Sequence, residues 1–357
     1  MAAAENLSFK VIQKSSKMKS KNIRKFARVV LIILSCLVIM FSLASLVYDI
    51  PRWYLKILDF PRLQLLTVGI FLFLSFLLIT KEWKFSSIAL VSGLLASIFI
   101  QFEIISPYLL KDTVVKTVKA SEVTNKNSVD ILIANVLIKN RKTQTLKEII
   151  TTKEPDIILL MEVDSWWVDN FSYLKKTHPY TIEYPLDNAY GMALYSKLPI
   201  SNHQIKFLNH SKVPSFFTKV TLASGKEFKF VGVHPVAPFP SDKYPENIGE
   251  QGKDQQKEVE LLRVGDIASK YTLPTIIAGD FNDVAWSNTS RLFGKDGNLK
   301  DVRIGRGLYN TFNAESLIMR WPLDHFFVTE DITVQDFNTL SKIGSDHFPL
   351  YAKFVIE

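Results

Sequence analysis

The chain is almost without cysteine: Cys36 is the only one in 357 residues. No disulfide within the chain and no cysteine metal site can exist. Internal repeats and low-complexity segments are lacking too, so the chain does not read as a repeat array. Nor does its larger part carry a surplus of positive charge. From residue 125 onward, 27 Lys and Arg face 28 Asp and Glu. A surface that grips many phosphates is basic, so strong non-specific DNA binding is not indicated there, although a local basic groove stays open. The net charge of +8 has another source. Eight Lys and Arg lie between Lys10 and Arg28, opposed within residues 1–28 only by Glu5.

Long apolar runs come after that basic leader. Residues 29–48 are apolar throughout, and about 20 such residues cross a bilayer. A second run covers 63–80, bounded by Arg62 and Lys81-Glu82. A third, at 85–105, is diluted by serines, Gln101 and Glu103. A cleaved signal peptide is the alternative for the first run, and an interfacial or buried helix for the third. The positive-inside rule keeps residues 1–28 in the cytoplasm. Three crossings within 29–106 then place residues 107–357 outside the inner (cytoplasmic) membrane, whereas two would leave them in the cytoplasm. Residues 107–126 alternate charge with small polar residues and read as a stalk.

The remainder, 127–357, alternates strands and helices. Strand patterns fall at 129–136, 156–161, 180–184, 192–195, 216–222, 228–233, 325–328, 332–338 and 350–356. Helical spacing marks 143–151 and 254–271. Ser224-Gly225-Lys226 is a hairpin signal. This order predicts an α/β (α+β) sandwich of two mixed β-sheets flanked by helices, four layers deep and preceded by transmembrane helices.

Polar residues sit at strand ends. Ile276 to Asn282 is an apolar strand that delivers Asp280 and Asn282, two positions apart and so on one face, where they can converge on one reacting atom. An Asx-turn is the plain alternative. Gly-Val-His234, Leu-Leu-Met-Glu162-Val, Leu-Asp324-His and Ser-Asp346-His347 repeat the pattern. His325 alternates to the face opposite Asp324, which predicts a structural role. His178, His203 and His210 are expected at the surface.

Taken in order with Asn135, these motifs resemble the endonuclease/exonuclease/phosphatase superfamily, from about residue 127 to the end. The resemblance implies a Mg²⁺ (or Mn²⁺) ion held by Glu162, with Asn135 and Asp346 completing or supporting its site. It implies that Asp324 orients His347 and that this pair, or Asp280, activates the attacking water. Asn282 would position the nucleophile or phosphate, and His234 would stabilise the transition state or assist the leaving group. One departure stands out. Nuclease members often carry an acidic residue shortly after the first Asn, whereas Asn135 is followed by Val136-Leu137-Ile138-Lys139-Asn140, which argues against a second metal. Trp166, Trp167, Tyr184, Asn188 and Tyr190 lie where members differ in substrate handling, although large aromatics also serve as core.

The expected protein is thus a membrane-anchored, metal-dependent phosphodiester hydrolase whose partners are its substrate and the lipid bilayer. No protein partner is inferred. Nuclease and lipid or small-molecule phosphodiesterase remain alternatives, and a non-catalytic binding scaffold is a third reading.

Overall fold

A computed structural model describes residues 2–48, 52–81, 83–119, 121, 125–237 and 256–357. The first two residues of the helix expected from 254, and Glu82, lie outside the described residues.

The chain forms two compact units. The first is helical: α1 (Ala2–Ala44), α3 (Arg62–Ile79) and α4 (Phe85–Leu109); the short α2 (Trp53–Lys56) belongs to the second unit. Three segments, Asn22–Ala44, Arg62–Ile79 and Phe85–Leu109, are long and apolar enough to cross a membrane. Within this unit Arg62 stands at the first residue of the second span, where the sequence bounds that run. It is buried, donating to Ser45 Oγ at 3.0 Å and Gln101 Oε1 at 3.1 Å. A guanidinium in an apolar bundle is kept only with its donors matched.

The second unit contains two six-stranded sheets. One is built from β1 (Ser128–Asn135), β2 (Ile157–Met161), β3 (Tyr180–Tyr184), β4 (Met192–Ser196), β11 (Ile332–Thr339) and β12 (Leu350–Ile356). The other is built from β5 (Ile200–Lys206), β6 (Ser215–Thr221), β7 (Glu227–Val233), β8 (Thr275–Asp280), β9 (Lys300–Asp301) and β10 (Asp324–Val328). Their strand orders are β11-β12-β1-β2-β4-β3 and β5-β6-β7-β8-β10-β9. In each sheet the central pair, β1–β2 or β7–β8, is parallel. Parallel neighbours end together, so their carboxyl ends collect loops at one edge.

Side-chain alternation builds the layers. Val129, Ile131 and Ile133 of β1 join Ile276 and Ala278 of β8 and Phe326 and Val328 of β10 in the core between the sheets. The alternate residues face outward. Leu132 and Ala134 pack with Leu146 and Ile150 of α5 (Gln144–Lys153) and with Trp167 of α6 (Ser165–Phe171). Ile277 and Phe327 pack with Leu261 and Val264 of α7 (Gln256–Ala268) and with Phe293 of α8 (Asn288–Asp296). The predicted four layers, helices on both outer faces, are therefore present.

Several local expectations need correction. Strand β5 and helices α6 and α8 went unpredicted, because β5 is mostly exposed and lacks an apolar face, while α6 and α8 are short. His178 and His210 are buried, not at the surface. His178 Nε2 lies 2.9 Å from Pro155 O, and burial lowers its pKa. The stretch read as a stalk does not hang free. Val115 is buried in the inter-sheet core, Thr117 bridges Val334, and Val118 N donates to Val334 O at 3.0 Å.

Candidate active site

The alternation that makes the core also makes the site. Asn135, Asp280 and Asp324 each occupy the position where the inward-facing row of β1, β8 or β10 would place its next side chain. Three polar groups therefore cap one end of an apolar slab, and all three are buried. Met161 ends the inner row of β2, and its sulfur accepts the Asp280 N–H at 3.0 Å, joining the two sheets at this point.

Glu162 follows β2 with φ at +61°, a left-handed turn that redirects its side chain. Its Oε1 accepts Asn135 Nδ2 at 3.1 Å and its Oε2 accepts Ile138 N at 3.2 Å. The same Asn135 nitrogen donates to Asp280 Oδ2 at 2.9 Å. One amide thus gathers two buried carboxylates. In this orientation Asn135 is a donor to them, and serving as a cation ligand would require its amide to turn over.

Gly279 brings the second half of the site together. At φ +146° it lies beside Val233, and a Cβ there would fall 1.9 Å from Val233 O. That close approach sets the next residues, His234 and Asp280, side by side, with His234 Nε2 3.6 Å from Asp280 Oδ2. The Asp280–Asn282 relationship differs from the one-face prediction. The strand stops at Asp280, Asn282 takes φ +53°, and its N–H donates to Asp280 Oδ1 at 2.8 Å, an Asx-turn. Asn282 Nδ2 reaches Pro235 O at 2.9 Å and so fastens the His234 loop.

Asp324 stands opposite Asp280 in the antiparallel β8–β10 register. Its Oδ2 lies 2.8 Å from His347 Nδ1, and His347 Nε2 lies 3.6 Å from Asp280 Oδ2. Burial disfavours the imidazolium, but Asp324, Asp280 and Asp346 outweigh it and hold His347 up to about 10. Burial also raises the Asp280 carboxyl, against the pull of His347 and with Asp324 adding to the rise. Asp346 is half-buried. Its carboxylate accepts Ser345 Oγ at 3.3 Å and adds negative charge beside His347.

A divalent cation suits this donor set. Three carboxylates, those of Glu162, Asp280 and Asp324, are buried within one polar cluster, and Asp324 Oδ1 has no hydrogen-bond partner. Ligand atoms of Asp280, Asp324 and His347 lie within 4.8 Å of one another. That triad differs from the metal set the sequence implied. Glu162, nearby, offers oxygen donors of the kind a hard cation prefers.

Some participants were invisible in the sequence. Arg303, wholly buried, donates to Asp324 O and to Leu308 O at 3.0 Å, and its Nη1 lies 3.1 Å from His325 Nδ1. Thr311 Oγ1 accepts the Leu323 and Asp324 N–H groups at 3.2 and 3.1 Å. His325 points into the outer layer beside Phe281 and Phe327. Of the aromatic candidates, Trp167 is core and Tyr190 is buried against the His234 ring. Trp166 lies under Arg141, Tyr184 packs on Phe207, and Asn188 Oδ1 accepts Tyr190 N.

Comparison with curated protein sequences finds no match. Solved structures do match in fold. Zebrafish TDP2 with a single-strand DNA product aligns with a TM-score of 0.52 at 17% identity, covering 64% of this chain and 98% of that one. The human Nocturnin catalytic domain with a bound sulfate anion aligns at 0.51 and 18% identity, covering 66% and 97%. A Bacteroides thetaiotaomicron endonuclease/exonuclease/phosphatase family protein aligns at 0.51 and 17%, covering 64% and 98%. The sequence profile of that family matches residues 132–347, more than half of the chain, and the protein described here belongs to the endonuclease/exonuclease/phosphatase family.

Proposed function

We propose that this protein is a membrane-anchored, divalent-metal-dependent phosphodiester hydrolase whose catalytic unit lies on the outer side of the cytoplasmic membrane. The observation that carries the reading is the convergence of Asn135, Glu162, His234, Asp280, Asp324 and His347 at one end of the inter-sheet core. Glu162 is the principal metal residue in this reading, with Asn135 and Asp346 in support. The ion, Mg²⁺ or Mn²⁺, supplies charge neutralisation at a phosphoryl oxygen. The chain's own groups do the rest. Asp324 fixes the His347 ring through Nδ1 and leaves Nε2 directed at Asp280. The His347–Asp324 pair, held as imidazolium and carboxylate, then aligns the attacking water, and Asp280 accepts its proton. His234 offsets negative charge on the phosphoryl group or leaving oxygen, and Asn282 holds the His234 loop at its working distance.

The side of the membrane is argued from the second unit alone. Residues 48–60, which join the first two spans, belong to the same compact unit as residues 106–357. Trp286 Nε1 donates to Asp59 O at 2.7 Å, and Phe60 packs edge-on against Trp321. Three crossings place the joining segment and the catalytic domain on one side, whereas two would divide them.

Full-length protein in proteoliposomes, offered plasmid DNA, RNA, phospholipids and inositol phosphates with Mg²⁺ or with chelator, tests the activity. The expected result is metal-dependent cleavage of at least one class, abolished in Asp280→Asn. A folded protein inert to the whole panel would favour the binding-scaffold reading. A reporter fused after Glu357 tests the side.

A further inference from the structure

One surface feature has no role in the chemistry above. Leu317, Ile318 and Met319 are consecutive and 89%, 75% and 46% exposed. A soluble surface rarely presents three large apolar side chains in a row from an ordered loop. This loop is ordered by its own hydrogen bonds. Ser316 Oγ accepts the N–H groups of Ile318 and Met319 at 3.2 and 2.9 Å, and Asn313 N donates to Met319 O at 3.3 Å. It is also fastened to the site: Ala314 N donates to Asp346 O at 2.7 Å, and Phe312 packs 5.0 Å from the His347 ring.

The same loop ends at Trp321, whose ring lies 5.6 Å from that of Phe60. Phe60 stands two residues before the apolar helix Arg62–Ile79, so a helix entering a bilayer at Arg62 keeps Phe60 near the membrane surface. A second anchor agrees. Tyr108, at the end of the apolar helix Phe85–Leu109, donates its hydroxyl to Ala285 O at 2.8 Å on the loop that follows Asn282. Both loops that flank the catalytic carboxylates are therefore tied to residues beside span ends. Trp53 and Tyr54, in the segment joining two spans, are exposed aromatics of the kind that settle at a headgroup layer.

We infer that Leu317-Ile318-Met319 is a membrane-docking tip that enters the leaflet next to the catalytic unit. It presents the cleft to phosphodiesters at the bilayer surface, namely lipid headgroups, rather than to nucleic acid in solution. The docking stands on the exposed tip and its anchors; the substrate class rests on the hydrolase reading above.

Two measurements on the full chain separate these parts. In a Cys36→Ser background, Ile318→Cys carrying a nitroxide label is reconstituted into phosphatidylcholine/phosphatidylglycerol vesicles. Ser224→Cys, on the exposed β6–β7 turn, serves as the aqueous control. The label at 318 is expected to collide with oxygen more than with a water-soluble nickel chelate, and the label at 224 to show the reverse. Equal exposure of both labels to the chelate would overturn the docking, whatever the activity. Separately, the variant Leu317→Ser/Ile318→Ser/Met319→Ser is expected to lose at least tenfold on vesicle phospholipid while staying within twofold on bis(p-nitrophenyl) phosphate. Equal loss on both substrates, or a wild type that cleaves only the soluble one, overturns the lipid assignment. A wild type inert to both sinks the hydrolase reading and leaves the nitroxide result standing.

Discussion

Asp324 faces Asp280 directly across the β8–β10 pair. Like charges opposite one another on a sheet are destabilising, and this pair is buried. His347 makes it tolerable by bonding Asp324 through Nδ1 at 2.8 Å and turning Nε2 to Asp280 at 3.6 Å. Asp324→Asn preserves the shape but removes the charge that supports the imidazolium. The pKa of His347, which its carboxylate neighbours hold up to about 10, is expected to fall. Turnover should drop by roughly 10² to 10⁴, in the range known for general acid–base groups and their orienting carboxylates. Imidazole NMR titration and kcat check the two halves, and an unchanged His347 titration would contradict the arrangement.

Gly279 is a second sensitive point, for steric reasons alone. An alanine methyl there would sit 1.9 Å from Val233 O, a backbone atom that cannot rotate away. Relief requires β7 and β8 to separate at the register pair Val233↔Gly279. Gly279→Ala is expected to destabilise the catalytic unit by about 3–5 kcal/mol. Chemical denaturation measures this, and a loss below about 1 kcal/mol would show that the strands part easily.

How much of this was readable from sequence depended on periodicity. Strands such as β2 and β8 carry apolar residues continuously because both of their faces are covered, so their ends, and the polar residues there, were visible. Alternation alone set Asp324 and His325 on opposite faces of their strand. What could not be read were interactions with no local pattern. Arg303 is one arginine in a polar stretch, and its role arises because the fold brings Asp324 O and the His325 ring to it. Glu162 and Asn282 depend on positive φ values that non-glycine residues seldom adopt. Val115 joins the core from a segment too polar to show a strand.

Arg303 tests how far the site depends on that hidden support. It is fully buried, its N–H accepted by Asp301 Oδ1 at 2.9 Å and its guanidinium spread over Leu308 O, Asp324 O and His325. Arg303→Met takes the guanidinium away from the Leu308 and Asp324 carbonyl oxygens and from the His325 ring behind Asp324. A loss of about 3–5 kcal/mol is expected, with lowered kcat in whatever fraction folds. Arg303→Lys keeps the charge but not the planar fork, and should fall between. Equal stability of all three proteins in urea would show that the guanidinium fork contributes nothing.

Glu260 makes stability depend on pH away from the candidate active site. It is buried on α7, and Ser215 Oγ donates to its Oε1 at 3.0 Å. Burial pushes the carboxyl up to about 8 from an ordinary 4.5, against the Ser215 hydrogen bond. Below 4.5 the folded and unfolded chains both hold the proton, and Glu260 contributes no difference. Between about 4.5 and 8 the unfolded chain releases it while the folded chain keeps it, so stability falls as pH rises. Above 8 the deficit is constant. Glu260→Gln removes this slope, because the amide fills the same space uncharged at every pH. The variant should match wild type within about 1 kcal/mol at pH 5 and exceed it by a few kcal/mol at pH 8.5. Denaturation midpoints across that range measure the gap; one that fails to widen with pH would place the ionised carboxylate in water rather than in the core.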